Sequence, residues 1–290
     1  MRTKPPMEFN FRDWILPVIL EIHRKIRGRH APFRTCATWE EAKKASTGYD
    51  TDLILEKIRD SLSKVKNGEA VYERDSVLFD KIRYSWPLLA GILWIASQKA
   101  NRLNLVDFGG SLGSTYYQNR RFLSHLKEMH WSIVEQRKFV ECGKRDFENE
   151  HLKFYDDLDE CFRDQRPDAI LFSSVIQYLE NPYAMLEKAR SLGFEFIFFD
   201  RTPFLERGPD RITVQRVPPA IYEASYPAWF FDQGKFVEFF SRDYELITEF
   251  EALAGTIWLG KDRATDKGFL FRKRRDETPP DPGDPSRGPI

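Results

Sequence analysis

Apolar positions change their period near residue 100. Before that point they recur at helical spacing: Trp14, Ile15, Val18, Ile19, Ile22 and Ile26 mark one face of an N-terminal helix. Thr38 followed by Glu41 is a capping box for a helix over 40–45. Leu53, Ile54, Ile58, Leu62 and Val65 share a face over 52–65, and Ser85-Trp86-Pro87 opens a third apolar stretch, 88–96, with proline in its first turn. This part predicts a helical cap. Beyond it, short apolar runs at 103–108, 131–134, 152–155, 169–172 and 194–199 predict strands. Helical stretches at 116–127, 137–149, 158–163 and 183–190 separate them. A helix at 235–240 and two further strands, 244–251 and 268–272, close the series. Strands alternating with helices place the chain in the α/β class, with a Rossmann-like, mostly parallel sheet of seven strands and helices on both faces. The expected division is 1–100 for the cap, 101–275 for the sheet domain and 276–290 for a disordered tail rich in proline, glycine and charge. The stretch 204–231 is long for a connection and is expected to be a lid or binding loop.

Composition narrows the function classes. In 290 residues, 45 Lys and Arg balance 45 Asp and Glu, so nothing draws the chain generally to nucleic acid. Cys36, Cys142 and Cys161 form no C-x-x-C pair, which suits a reducing, cytoplasmic setting. The five histidines make no H-x-x-x-H pattern, so no metal site is expected. No apolar run approaches a membrane span. The run at 14–20 lacks the cleavage site of a signal peptide. The first 34 residues carry eight Lys and Arg against three Asp and Glu. A helix docked on the protein body is the favoured reading, because Pro17 and Glu21 interrupt the face; peripheral contact with the inner face of a membrane is the alternative.

The chemistry starts at Asp107-Phe108-Gly109-Gly110-Ser111-Leu112-Gly113, where the first sheet strand turns into a helix. Glycines admit a close ligand, and the helix end favours an anion such as a pyrophosphate or an amino-acid carboxylate. A dinucleotide fingerprint, G-x-G-x-x-G, is not met, since Ser111 stands where its second glycine belongs. Asp107 repels a pyrophosphate and attracts a cation. Glu135 ends the second strand, where a carboxylate accepts the two hydroxyls of a ribose.

Together these residues resemble the first motif and the ribose-binding acid of class I S-adenosylmethionine-dependent methyltransferases. Asp168-Ala-Ile-Leu-Phe-Ser-Ser-Val-Ile-Gln-Tyr-Leu-Glu-Asn-Pro182 resembles their fourth strand and the approach to the next helix. The resemblance covers about residues 101–273 and implies a seventh, antiparallel strand. Adding Ser173-Ser174 and Phe199-Asp-Arg-Thr-Pro203, the chain is similar to a smaller group of bacterial methyltransferases often associated with surface-polysaccharide genes. The resemblance implies S-adenosylmethionine as cofactor, held by Asp107, Gly109, Gly110, Ser111, Gly113, Glu135, Ser173 and Ser174, with Asp156 or Asp157 at the adenine amino group. Many family members have glycine at the position of Ser111 and histidine at that of Tyr178, so no catalytic base is inherited.

On the substrate side, Gln177 and Tyr178 are expected to face the crevice, and Asp200-Arg201-Thr202-Pro203 to end strand five at its rim. Asp200 and Tyr178 are the candidate catalytic residues. Gln177, Tyr178, Arg201, Tyr222 and Tyr226 are the candidate substrate ligands, with Arg201 taking an anionic substrate or pairing with Asp200. Trp229 and Phe230 are expected to pack. The substrate is a small molecule or glycan. The competing functions are an NAD-dependent sugar-modifying oxidoreductase or epimerase, for which Tyr155 and Tyr183 lack a lysine four residues on, and a binding protein without turnover.

Overall fold

The computed structural model describes residues 33–48, 51–74, 76–217 and 224–275. The expected helix near Trp14, the ligand candidate Tyr222 and the tail from 276 lie outside the described residues.

Five strands form the parallel centre: β4 (Arg102–Phe108), β5 (Glu128–Val134), β6 (Leu152–Tyr155), β7 (Ala169–Ser173) and β8 (Phe196–Leu205). They lie in the order β6-β5-β4-β7-β8. β12 (Asp262–Lys273) then pairs antiparallel with β8, and β11 (Tyr244–Leu259) antiparallel with β12. These are the seven expected strands, with β12 the antiparallel member, but they lie within a sheet of ten among the described residues. The last two strands are a long hairpin rather than two short pieces. The chain leaves β4 toward one edge and returns through β7 toward the other. The order therefore reverses between β4 and β7, and a crevice opens there at their carboxyl ends.

Side-chain alternation divides the core into two faces. Leu105, Trp131, Ile133, Leu171 and Phe198 point into one. They meet α2 (Thr51–Lys66), α3 (Trp86–Gln98), α4 (Ser114–Leu123) and α5 (Arg137–Asp146). Val106, Val134, Ile170, Phe172 and Phe199 point into the other, against α6 (Leu158–Gln165), α7 (Pro182–Leu192) and α8 (Gln233–Ser241). Each fully buried large apolar side chain adds roughly 1.5–3 kcal/mol. The second face is rich in phenylalanine, with Phe172 and Phe199 stacked at 5.3 Å.

Two expectations need correction. The stretch 38–100 is not helical throughout. Besides α1 (Trp39–Lys44), capped by Thr38 as expected, it holds the short hairpin of β2 (Tyr72–Arg74) and β3 (Val77–Phe79). Its helices α2 and α3 also share the core of the sheet. Nor do the described residues of 204–231 form a loose lid. Arg201 does not end strand five: β8 runs on to Leu205, where Phe204 and Leu205 pair with Phe231 and Asp232 of β10 (Ser225–Asp232). β9 (Arg211–Arg216) pairs with β10, and β1 (Phe33–Cys36) with β9. The alternation in Arg-Ile-Thr-Val-Gln-Arg is that of a strand. Pro227 is tolerated in β10 because, among the described residues, only β9 pairs with β10 at that level.

Candidate active site

Alternation sets the site. Asp107, Glu135 and Ser173, at the carboxyl ends of β4, β5 and β7, and Asp200, level with them in the middle of β8, continue the rows that below them hold Leu105, Ile133, Leu171 and Phe198. Four polar groups thus gather on the α2–α4 face, beside the point of reversal.

Asp107 is 1% exposed and accepts a 3.2 Å hydrogen bond from Trp131 Nε1. Burial pushes its carboxyl up to about 7; the Trp131 bond and the charge of Arg201 oppose this, while Glu135 and Asp200 add to it. The glycine turn folds directly over it. A Cβ on Gly110 would lie 2.6 Å from the Asp107 carboxyl carbon. Gly109, at φ +71°, would place one 2.3 Å from Val175. Neither contact tolerates a side chain, so the turn lies flat between β4 and the loop after β7. Asp107 therefore shapes the turn from beneath.

Gly113, at φ +101°, is the N-cap of α4 and offers no side-chain cap. The helix end is met instead by a residue that no pattern in the chain had marked. Glu73, 1% exposed on the β2–β3 hairpin, accepts a 2.5 Å hydrogen bond from Ser114 Oγ and a 2.7 Å bond from the Ser76 N–H. A three-residue strand carries too little periodicity to be visible in sequence. Glu73 and Asp107 together make this helix end a poor place for a pyrophosphate.

Glu135 is partly buried, and burial pushes its carboxyl up to about 7. One of its oxygens accepts the Gln136 N–H at 3.1 Å. Asp156 is exposed at the end of β6, while Asp157 caps α6 through the Glu160 N–H at 2.9 Å. Of the two acids, Asp156 alone is not committed to a helix cap.

Asp200 is 2% exposed, and burial raises its pKa. Its Oδ2 accepts Ser173 Oγ at 2.9 Å and lies 3.5 Å from Arg201 Nε. Arg201 also donates to Ser173 Oγ, from Nε at 3.3 Å and Nη2 at 3.2 Å. Of the two roles expected for Arg201, the structure has it paired with Asp200. Ser173 faces this pair from β7. Asp266 of β12, also missed in sequence, is pushed up to about 6 by burial and feels the charge of Asp200. Gln177 lies in a single 3-10 turn, Ile176–Tyr178, and is 3% exposed. Its Nε2 donates to the Arg201 carbonyl at 3.2 Å and to Ser174 Oγ at 3.4 Å. Tyr178 donates to Gln215 Oε1 of β9 at 3.1 Å and meets Tyr226 edge-on at 5.0 Å. Trp229 Nε1 donates to the Leu179 carbonyl at 3.0 Å, and Phe230 is buried, as expected for packing residues. The β9–β10 hairpin thus clasps the turn after β7.

Backbone strain collects here too. Ser111, Ser174 and Arg201 hold φ of +56°, +58° and +52°, each where a strand of the crevice ends or bends. Non-glycine residues in this region cost about 1 kcal/mol or more and persist where the surroundings enforce them.

Among the described residues no cluster of His, Cys, Asp and Glu could hold a metal ion, and no helix is long and apolar enough to cross a membrane.

No family model matches the chain, and no curated protein matches it. Among solved structures it is similar to the N-terminal domain of EvdMO1 in the presence of SAH and D-fucose, at 13% identity over 74% of this chain and 97% of that one, with a TM-score of 0.46. It is also similar to the Burkholderia thailandensis 1,6-didemethyltoxoflavin-N1-methyltransferase with bound 1,6-didemethyltoxoflavin and S-adenosylhomocysteine, at 12% identity over 79% and 92%, TM-score 0.36. A third is the CcbJ methyltransferase from Streptomyces caelestis, at 10% identity over 64% and 90%, TM-score 0.40. At this level the likeness identifies neither a reaction nor a substrate for this chain.

Proposed function

We propose that the chain is an S-adenosylmethionine-dependent methyltransferase acting on a sugar or related polar small molecule, of the kind used in surface-polysaccharide assembly. The polysaccharide setting rests on the motif resemblance alone. The observation that carries the cofactor is the flat glycine turn over buried Asp107, with Glu135 on the adjacent strand end. The charges that act on Asp107 are Glu135, Asp200 and Arg201, two acids against one base. That balance fits a ligand bearing an ammonium and a sulfonium better than one bearing two phosphates.

In this reading the backbone of 109–113 holds the amino-acid end of the cofactor. Glu135 accepts its ribose hydroxyls, and Asp156 stands at the adenine. Ser173 and Ser174 border the reacting end. When bound, the cofactor supplies a methyl group already activated for displacement. The protein's contribution is alignment and, for a hydroxyl acceptor, a place for the departing proton. Asp200 is the candidate for that proton: the Ser173 bond holds it at the crevice, and burial raises its affinity for a proton against the opposing effect of Arg201 and of that bond. Tyr178, Tyr226 and Gln177 line the substrate side, while Arg201 holds Asp200 in place.

Glu135→Ala tests the pocket. Hydrogen bonds to a charged group are worth about 1.5–3 kcal/mol, so S-adenosylhomocysteine should bind roughly 10- to 100-fold more weakly while the melting temperature holds. Unchanged affinity would remove Glu135, and the pocket built on it, from the reading.

A further inference from the structure

Two oxygens in the crevice lack a good donor. Asp200 Oδ1 and Gln177 Oε1 are buried, and neither accepts a well-formed hydrogen bond from the described residues. Their orientation is fixed by what their partner atoms do. The Arg201 carbonyl can only accept, so Gln177 must turn its amide nitrogen there and its oxygen away. Asp200 Oδ2 is occupied by Ser173 and Arg201, which leaves Oδ1. Leaving a buried acceptor unmet costs about 1–3 kcal/mol, more for a charged one. Of the seven unmet buried polar atoms among the described residues, these two sit on side chains that are both tied to Arg201, one through its carbonyl and one through its guanidinium.

The charges around them are mostly acidic, three carboxyl groups to one guanidinium. Asp200 lies with Asp107 and Asp266, all three buried, and Arg201 is the cation that acts on each of them. Arg201 is itself held against Asp200 and Ser173. An anion placed here would meet three carboxyl groups and the Gln177 amide oxygen. A hydroxyl or an amine would meet partners.

Resting on the methyltransferase reading above, we propose that Asp200 Oδ1 and Gln177 Oε1 form the recognition pair for the methyl acceptor. The acceptor is then a neutral or cationic molecule that presents hydroxyl or amine hydrogens to the pair, not an anion. Both oxygens are closed off from solvent, and Gln177 itself belongs to the single turn Ile176–Tyr178, so side chains must shift for the acceptor to reach them. The acceptor's donors then satisfy two groups that no described residue meets.

The test uses the full chain saturated with S-adenosylhomocysteine and three hexoses that differ in charge: methyl glucoside, glucosamine and glucuronate. Binding of each is followed by ligand-observed NMR for the wild type, Gln177→Met and Asp200→Asn. The proposal expects methyl glucoside or glucosamine to bind at least tenfold more tightly than glucuronate. Each substitution should weaken the preferred sugar at least fivefold, with S-adenosylhomocysteine affinity held within twofold. Gln177→Met should not lower the melting temperature of the ligand-free protein by more than a few degrees, because it removes an unmet acceptor along with the two long hydrogen bonds of its amide nitrogen. Preferred binding of glucuronate, binding of none of the three, or sugar binding indifferent to both substitutions overturns the proposal while leaving the cofactor reading intact. Failure of S-adenosylhomocysteine itself to bind overturns the cofactor reading and this proposal with it.

Discussion

Asp107 carries the clearest consequence at the residue scale. Its carboxyl is removed from water by the turn it supports, and its folded pKa stands near 7 against an ordinary value of 3.8. A pKa raised on folding contributes stability that is complete below the unfolded value and is lost as pH climbs through the folded one. The window for Asp107 is therefore about pH 4 to 7, with a slope of at most about 1.4 kcal/mol per pH unit. Asp107→Asn abolishes that titration while keeping an oxygen for the Trp131 N–H. The difference in melting temperature, variant minus wild type, should grow from pH 4 to 7 and then level off. A difference that does not vary with pH would show that Asp107 ionises freely in the folded protein. The residue was visible in the sequence, but its place beneath the turn was not. Spacing puts an acid before the glycines; only the packing of Gly110 on its carboxyl shows that it supports the loop from below.

At the scale of elements, the parallel strands were legible because each is a short apolar run between turn signals. Their registers then aligned Asp107, Glu135, Ser173 and Asp200. The β9–β10 hairpin was not legible. Pro218, Pro219 and Pro227 gave its segment the look of a loop, and its strands pair with residues distant in sequence. The β2–β3 hairpin was too short to show a period, so Glu73 stayed hidden with it. The β9–β10 hairpin matters because Tyr178 and Leu179, at the turn after β7, are tied to it. Tyr178→Phe removes the hydroxyl bond to Gln215 but keeps the ring on Tyr226. A bond worth about 1 kcal/mol should make the amides of 176–179 exchange hydrogen about fivefold faster, with β7 and β8 unaffected. Exchange that does not change in the turn would mean the hairpin does not hold it.

For the whole molecule, the order β6-β5-β4-β7-β8-β12-β11 puts the reversal point, the glycine turn and the row of acids at one edge of the sheet. The crevice was foreseeable from the alternation of strands and helices, since ligands of open α/β sheets gather where strand order reverses. The acceptor side was less so, because it is assembled from β7, β8, β10 and β12, which meet only in three dimensions. The central claim is that this edge binds an adenosyl amino acid and not a dinucleotide. Calorimetric titration of the full chain with S-adenosylhomocysteine and, separately, with NAD tests it most directly. A saturable one-to-one heat with S-adenosylhomocysteine and none with NAD is the predicted result; saturation by NAD without binding of S-adenosylhomocysteine would contradict it.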